Sequence, residues 1–129
     1  MPSRTRLAAF GVAAFAAGLV AGHATGQSPR RMGVDTVLDV VTDELPRRAR
    51  VRANVNRWDP GSETGRHTHP GPTVFVMLDG ELEEILPDGT RRTLATGQGV
   101  WKPARTDHNV RNVSMHPARA LAIHLDPVR

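Results

Sequence analysis

An antiparallel all-β barrel or sandwich is the fold class this sequence predicts, on three observations. After residue 33 no stretch carries a helical apolar period with caps. Short runs alternate apolar and polar residues at the two-residue period of a strand. Turn signals then recur every six to twelve residues, at Asp59-Pro60-Gly61, Asp79-Gly80, Pro87-Asp88-Gly89 and Thr96-Gly97. About eight short strands with that spacing fit an all-β layer architecture.

Taken in order, Val34 to Val41 alternates loosely and is expected as a first strand, interrupted by Leu45-Pro46. Arg50 to Trp58 sets Val51, Ala53 and Val55 on one face and Arg50, Arg52, Asn54 and Asn56 on the other, the pattern of a half-buried strand. A strand carrying His67 and His69 follows and ends at Pro70-Gly71-Pro72. Thr73 to Leu78 is apolar and β-branched, and Asp79-Gly80 turns it into Glu81 to Leu86. Thr90 to Ala95, Val100 to Pro103, His108 to Val113 and Arg119 to Leu125 complete the set. In the last, Leu121, Ile123 and Leu125 read as the core face, which places His124 on the opposite, surface or rim, side.

Residues 1–26 have the layout of a secretory signal. Arg4 and Arg6 precede an uncharged run from Leu7 to Gly22, and small residues follow around Ala24. The expected product is exported, periplasmic or secreted. The alternative is an uncleaved N-terminal anchor, the one route by which this chain would meet a membrane. Its apolar run is short of the roughly 20 residues that a span prefers. Residues 27–33 read as a linker and 34–129 as the barrel domain. Without the signal, 15 basic residues stand against 13 acidic ones. The acids are interspersed, and the cluster of Arg48, Arg50 and Arg52 reads as a solvated strand face. Nucleic-acid binding is not supported. The chain has no cysteine, which excludes disulfides, a thiolate nucleophile and a thiolate zinc site.

The chemistry-bearing stretch is Gly61 to Gly80. On an extended chain His67 and His69 project from the same face, and neutral imidazole is the commonest side-chain metal ligand. A third ligand is expected downstream, and His108 is the candidate. His116 lies in a turn and His23 in the leader, so neither is a candidate. Phe75, Met77 and Trp101 read as barrel packing. Glu83 and Glu84 are adjacent on a strand, face opposite sides and cannot form a catalytic pair.

These residues also lie in two motifs. Gly61, five residues, His67-x-His69, three residues, Thr73, six residues and Gly80 form the first. Gly97, five residues, Pro103-x-Arg105, two residues, His108, three residues and Asn112 form the second. Both resemble the two motifs of the cupin family, and the chain is similar to the small single-domain exported cupins of bacteria from about Val51 to Leu125. Two positions depart from the pattern: Thr73 stands where the family has glutamate, and Arg105 where it has glycine. The resemblance implies a jelly-roll β-barrel with a divalent metal held by His67, His69 and His108. Iron, zinc, nickel, copper or manganese would suit, since imidazole does not select among them. Thr73 would occupy the fourth, carboxylate position as a neutral neighbour of the ion. Arg105, in the loop before His108, is a candidate contact for a substrate carboxylate. A homodimer is the family's habit.

Three functions follow from this reading. One is a metal-dependent oxygenase acting on a small organic substrate, suited to three imidazoles with open coordination positions and no visible general base. Another is a non-catalytic barrel that binds or senses a metal or small ligand. The third is a structural barrel working through a partner protein. Fold alone does not rank them.

Overall fold

The computed structural model describes residues 30–129, and Val34–Arg129 forms one compact unit. The expected export signal, and the first three residues of the expected linker, lie outside the described residues. Seven strands build the unit: β1 (Ala49–Trp58), β2 (Thr73–Asp79), β3 (Glu81–Ile85), β4 (Arg91–Ala95), β5 (Gly99–Lys102), β6 (Asn109–Arg111) and β7 (Ala118–Pro127). They form a four-stranded sheet in the order β1-β7-β2-β5 and a three-stranded sheet in the order β4-β3-β6. All pairings are antiparallel. No helix among the described residues is long and apolar enough to cross a membrane.

Two expected strands are absent. Val34 to Val41 is irregular, and its backbone polar groups find a different partner: the Val37 carbonyl accepts from the Gly99 N–H at 3.0 Å. A Cβ on Gly99 would sit 2.6 Å from that carbonyl oxygen, so only glycine allows the crossing. The His67–His69 stretch is likewise not a continuous strand. It pairs through single bridges, Glu63 with Arg111 and His67 with His108. Pro70 and Pro72, which lack a backbone N–H, follow this stretch and limit further ladder pairing.

The core lies between the sheets. Trp58, Phe75, Met77, Leu82, Leu94 and Val110 are buried there, with Ala118, Ala120 and Ala122 of β7. Trp58 meets Phe75 edge to face at 6.0 Å between ring centroids. Each of the larger side chains contributes roughly 1.5–3 kcal/mol by leaving water.

The facing of β1 and β7 is the reverse of the sequence expectation. Val51 and Val55 are 65% and 53% exposed, whereas Asn54, Asn56 and Trp58 point inward. On β7 the alanines and His124 are buried, and Leu121, Ile123 and Leu125 lie half-buried on the outer face. Both strands are consistent, because the register pairs Val51 with Leu125, Ala53 with Ile123 and Val55 with Leu121. The physical reason is space: small side chains on β7 leave room for rings between the sheets. Trp101 is a further correction. It sits on the outer side, where its indole N–H donates to Glu44 at 3.2 Å, and so packs no barrel interior.

Candidate metal centre

The β6 approach and the Gly61–Pro72 segment meet at the bridge between His67 and His108, whose backbone N–H and C=O groups exchange two bonds of 3.0 Å. A third tie comes from Arg105, whose N–H donates to the His69 carbonyl at 2.8 Å. Arg105 adopts φ 54°, the left-handed region that glycine accepts more easily. Gly71 anchors the other end of the segment, since a Cβ there would collide with the Leu125 carbonyl.

This scaffold brings His67, His69 and His108 together, with ligand nitrogens all within 4.8 Å of one another. The His67 Nδ1 lies 2.9 Å from the Gly65 carbonyl and the His108 Nδ1 lies 3.0 Å from the Thr106 carbonyl. A carbonyl only accepts, so each Nδ1 carries the proton and each Nε2 presents its lone pair to the cavity. The Nε2 atoms of His67 and His69 are 3.2 Å apart. Two nitrogens bound tetrahedrally at about 2.0–2.1 Å to one zinc ion stand about 3.3 Å apart. The donor set therefore fits a divalent metal.

Burial reinforces this state. His69 is lowered to about 4, first by desolvation and then by the charges of His124, His67, His108 and Lys102. His108 is lowered by desolvation as well, against the opposing hydrogen bond to Thr106. Imidazoles that resist protonation keep their lone pairs for a metal.

The cavity around the triad has a volume of about 210 Å³ and opens to solvent. Thr73 is buried beside it but faces another partner than an ion: its Oγ1 is 3.0 Å from His124 Nδ1. The His124 ring lies 4.7 Å from the His69 ring. Sequence reading put His124 at the surface or rim, and the structure corrects this to 7% exposure inside the cavity. Desolvation lowers its pKa, followed by the charge of Arg52. Arg105 is exposed and lines a separate groove with Asp43 and Glu44, so it does not reach the triad's cavity.

Lys102, which neither motif marks, also lines the cavity. It is 4% exposed and bonds Glu84, itself 1% exposed, at 2.5 Å. Its ammonium sits 4.4 Å from the centroid of the Phe75 ring. Burial pushes the Glu84 carboxyl up, but Lys102 and Arg92 outweigh it and hold the group below its ordinary range. A signal was available: Lys102 is the single lysine in a chain of sixteen arginines. Asn112 takes a purely structural place. Its amide donates to the carbonyls of Trp58 and His116, and its Oδ1 accepts from Ser114.

A family model described as a cupin domain matches residues 55–124, more than half of the chain. The chain is a cupin. Among solved structures it is similar to a cupin domain from Bordetella pertussis, 31% identical, with TM-score 0.54, covering 61% of this chain and 84% of that one. It is similar to a DMSP lyase from Ruegeria pomeroyi, 25% identical, with TM-score 0.55, covering 61% of this cupin and 40% of the lyase. Among curated proteins it matches a β-alanine degradation protein of Pseudomonas aeruginosa, 45% identical over 62 residues. That alignment covers 46% of this cupin and 65% of the Pseudomonas protein.

Proposed function

We propose that this cupin holds a divalent metal at His67, His69 and His108 and acts there, as an oxygenase, on a small organic substrate. The observation that carries the reading is the tautomer lock: two Nδ1 atoms committed to backbone carbonyls, with the Nε2 lone pairs turned into one cavity. A bound ion would supply Lewis acidity and, if iron, access to oxygen chemistry. Thr73 brings no charge, so three neutral imidazoles leave coordination positions open. The cavity is smaller than the roughly 300–1,000 Å³ of drug-sized sites, which supports a substrate of few atoms. Likeness to a protein named for β-alanine degradation supports the same scale.

A specific observation favours a second reading, metal-assisted elimination. His124 supplies a buried neutral imidazole beside the triad, a group able to accept a proton from substrate carbon. Likeness to a DMSP lyase supports this alternative. A non-catalytic binding barrel remains the outcome if neither product forms. Elemental analysis of tag-free protein beside a His67→Ala, His69→Ala double variant tests the centre. About one equivalent of metal in the wild type and none in the variant is expected. Oxygen uptake by the iron-loaded form then separates oxygenase from lyase. Metal-free wild type would sink the reading.

We also infer export, supported by Arg4, Arg6 and the uncharged run that follows, and checked by the N-terminus of the protein recovered from the periplasm. A homodimer is supported by the apolar outer face of β1 and β7, and sedimentation of the purified protein checks it.

A further inference from the structure

The cavity has a second pole besides the imidazoles. Among its lining residues no carboxylate is present, and the one ammonium is that of Lys102, whose charged form burial disfavours and Glu84 supports. Its counterion is already shared. Glu84 gives Oε1 to Lys102 and Oε2 to Arg92, at 2.5 and 2.6 Å, so two cations meet one anion and a unit of positive charge is left over. An ammonium has three donors. One is spent on Glu84, and a second direction is covered by the Phe75 ring. No other protein acceptor bonds the ammonium among the described contacts, although the Lys102 side chain is only 4% exposed. A buried donor without an acceptor is costly, and a ligand oxygen reaching it makes a charge-assisted bond. On the far side of the cavity Asn54 and Asn56 offer neutral amides, which add no charge preference.

We propose that Lys102 is the recognition group for a small carboxylate, held in the cavity between the lysine ammonium and the histidine centre. This rests on the metal reading only for the second anchor of the ligand. Glu84 and Arg92 fix the ammonium in place, so the lysine is a preformed contact and not a flexible surface charge. The small volume suits a short acid.

The test uses zinc-loaded full-length protein at pH 8 and two probes, acetate and neutral imidazole, titrated calorimetrically. Lys102→Met is made alone and with Glu84→Gln, the pair of changes that avoids leaving an unbalanced buried carboxylate. Acetate affinity is expected to fall at least tenfold in the double variant, with imidazole affinity and zinc stoichiometry unchanged. An equal loss for both probes, or no loss for acetate, would overturn the assignment. Phosphate binding more tightly than acetate in the wild type would overturn the carboxylate class. If the wild type takes up no zinc, the metal reading fails on its own. Acetate is then titrated against metal-free protein by its effect on Tm. A rise in Tm that the double variant abolishes keeps the lysine site, and no rise removes it.

Discussion

Glu83 and Glu84 are neighbours of the same chemistry on one strand, yet they live in different solvents. Glu83 faces out, 20% exposed, between Arg91 and Arg111, which are 57% and 31% exposed. Glu84 faces in, 1% exposed, between Lys102 and Arg92. β7 repeats the contrast in apolar residues: Leu121, Ile123 and Leu125 look outward while Ala118, Ala120, Ala122 and His124 look inward. The lesson is that this interior is selected for room and for satisfied charge. The larger aliphatics, which a sequence reader assigns to a core, are on the other side.

The sharpest way to break the contrast is to neutralise each glutamate separately. Glu84→Gln leaves the Lys102 ammonium buried without its counter-charge, and a loss of about 3–5 kcal/mol is expected. Glu83→Gln removes partly exposed pairs worth less than about 1 kcal/mol. Urea denaturation of both variants measures the difference, and equal losses would refute the inside–outside account. A smaller effect is expected from filling the room that the alanines leave. Ala122→Leu overpacks a site of 2% exposure, at about 1–3 kcal/mol, and cuts metal stoichiometry by crowding the cavity.

Acid provides the mildest and most selective perturbation, spread over pH units. The folded pKa values of His69, His108 and His124 are all lowered, His69 to about 4. Unfolded histidine binds its proton near pH 6.5, so between roughly 6.5 and 4 the unfolded chain holds more protons than the folded one. Stability of the metal-free protein is therefore complete above that window and falls as pH drops through it. Glu84, held below its ordinary range, adds its loss only at more acid pH. Thermal unfolding from pH 7.5 to 4 checks the sign. A Tm that stays flat to pH 4 would mean the histidines are hydrated and the interior is not what the contrast requires.

Much of this was legible in the sequence because it depends on local chemistry. Turn residues such as Asp79-Gly80 and Gly97 mark where strands end, whereas His67 and His69 meet His108 through a single bridge and not through the strand that the two-residue period predicts. His108 could be found because the motif spacing points to it. The facing of β7 was not legible, since Ala and Leu alternate along it and both count as apolar; only packing volume separates them. His124 was misplaced by that same ambiguity. Val34 to Val41 carries strand-forming residues, but its backbone is engaged at Val37 with Gly99 and joins no ladder. Lys102 was visible as the lone lysine, but its meaning came from Glu84, eighteen residues away in sequence.

Gly65 and Thr106 hold two of the triad's three imidazoles, those of His67 and His108, through their carbonyls, not through side chains. A carbonyl belongs to every residue type, so no single substitution deletes it. Variation in the surrounding walls can therefore change what the cavity accepts while the orientation of His67 and His108 is inherited with the chain path. The backbone thus guards the orientation of those two rings, with Gly65 at φ 72° the position least free to change, while the walls can drift and retune the barrel from ligand to ligand.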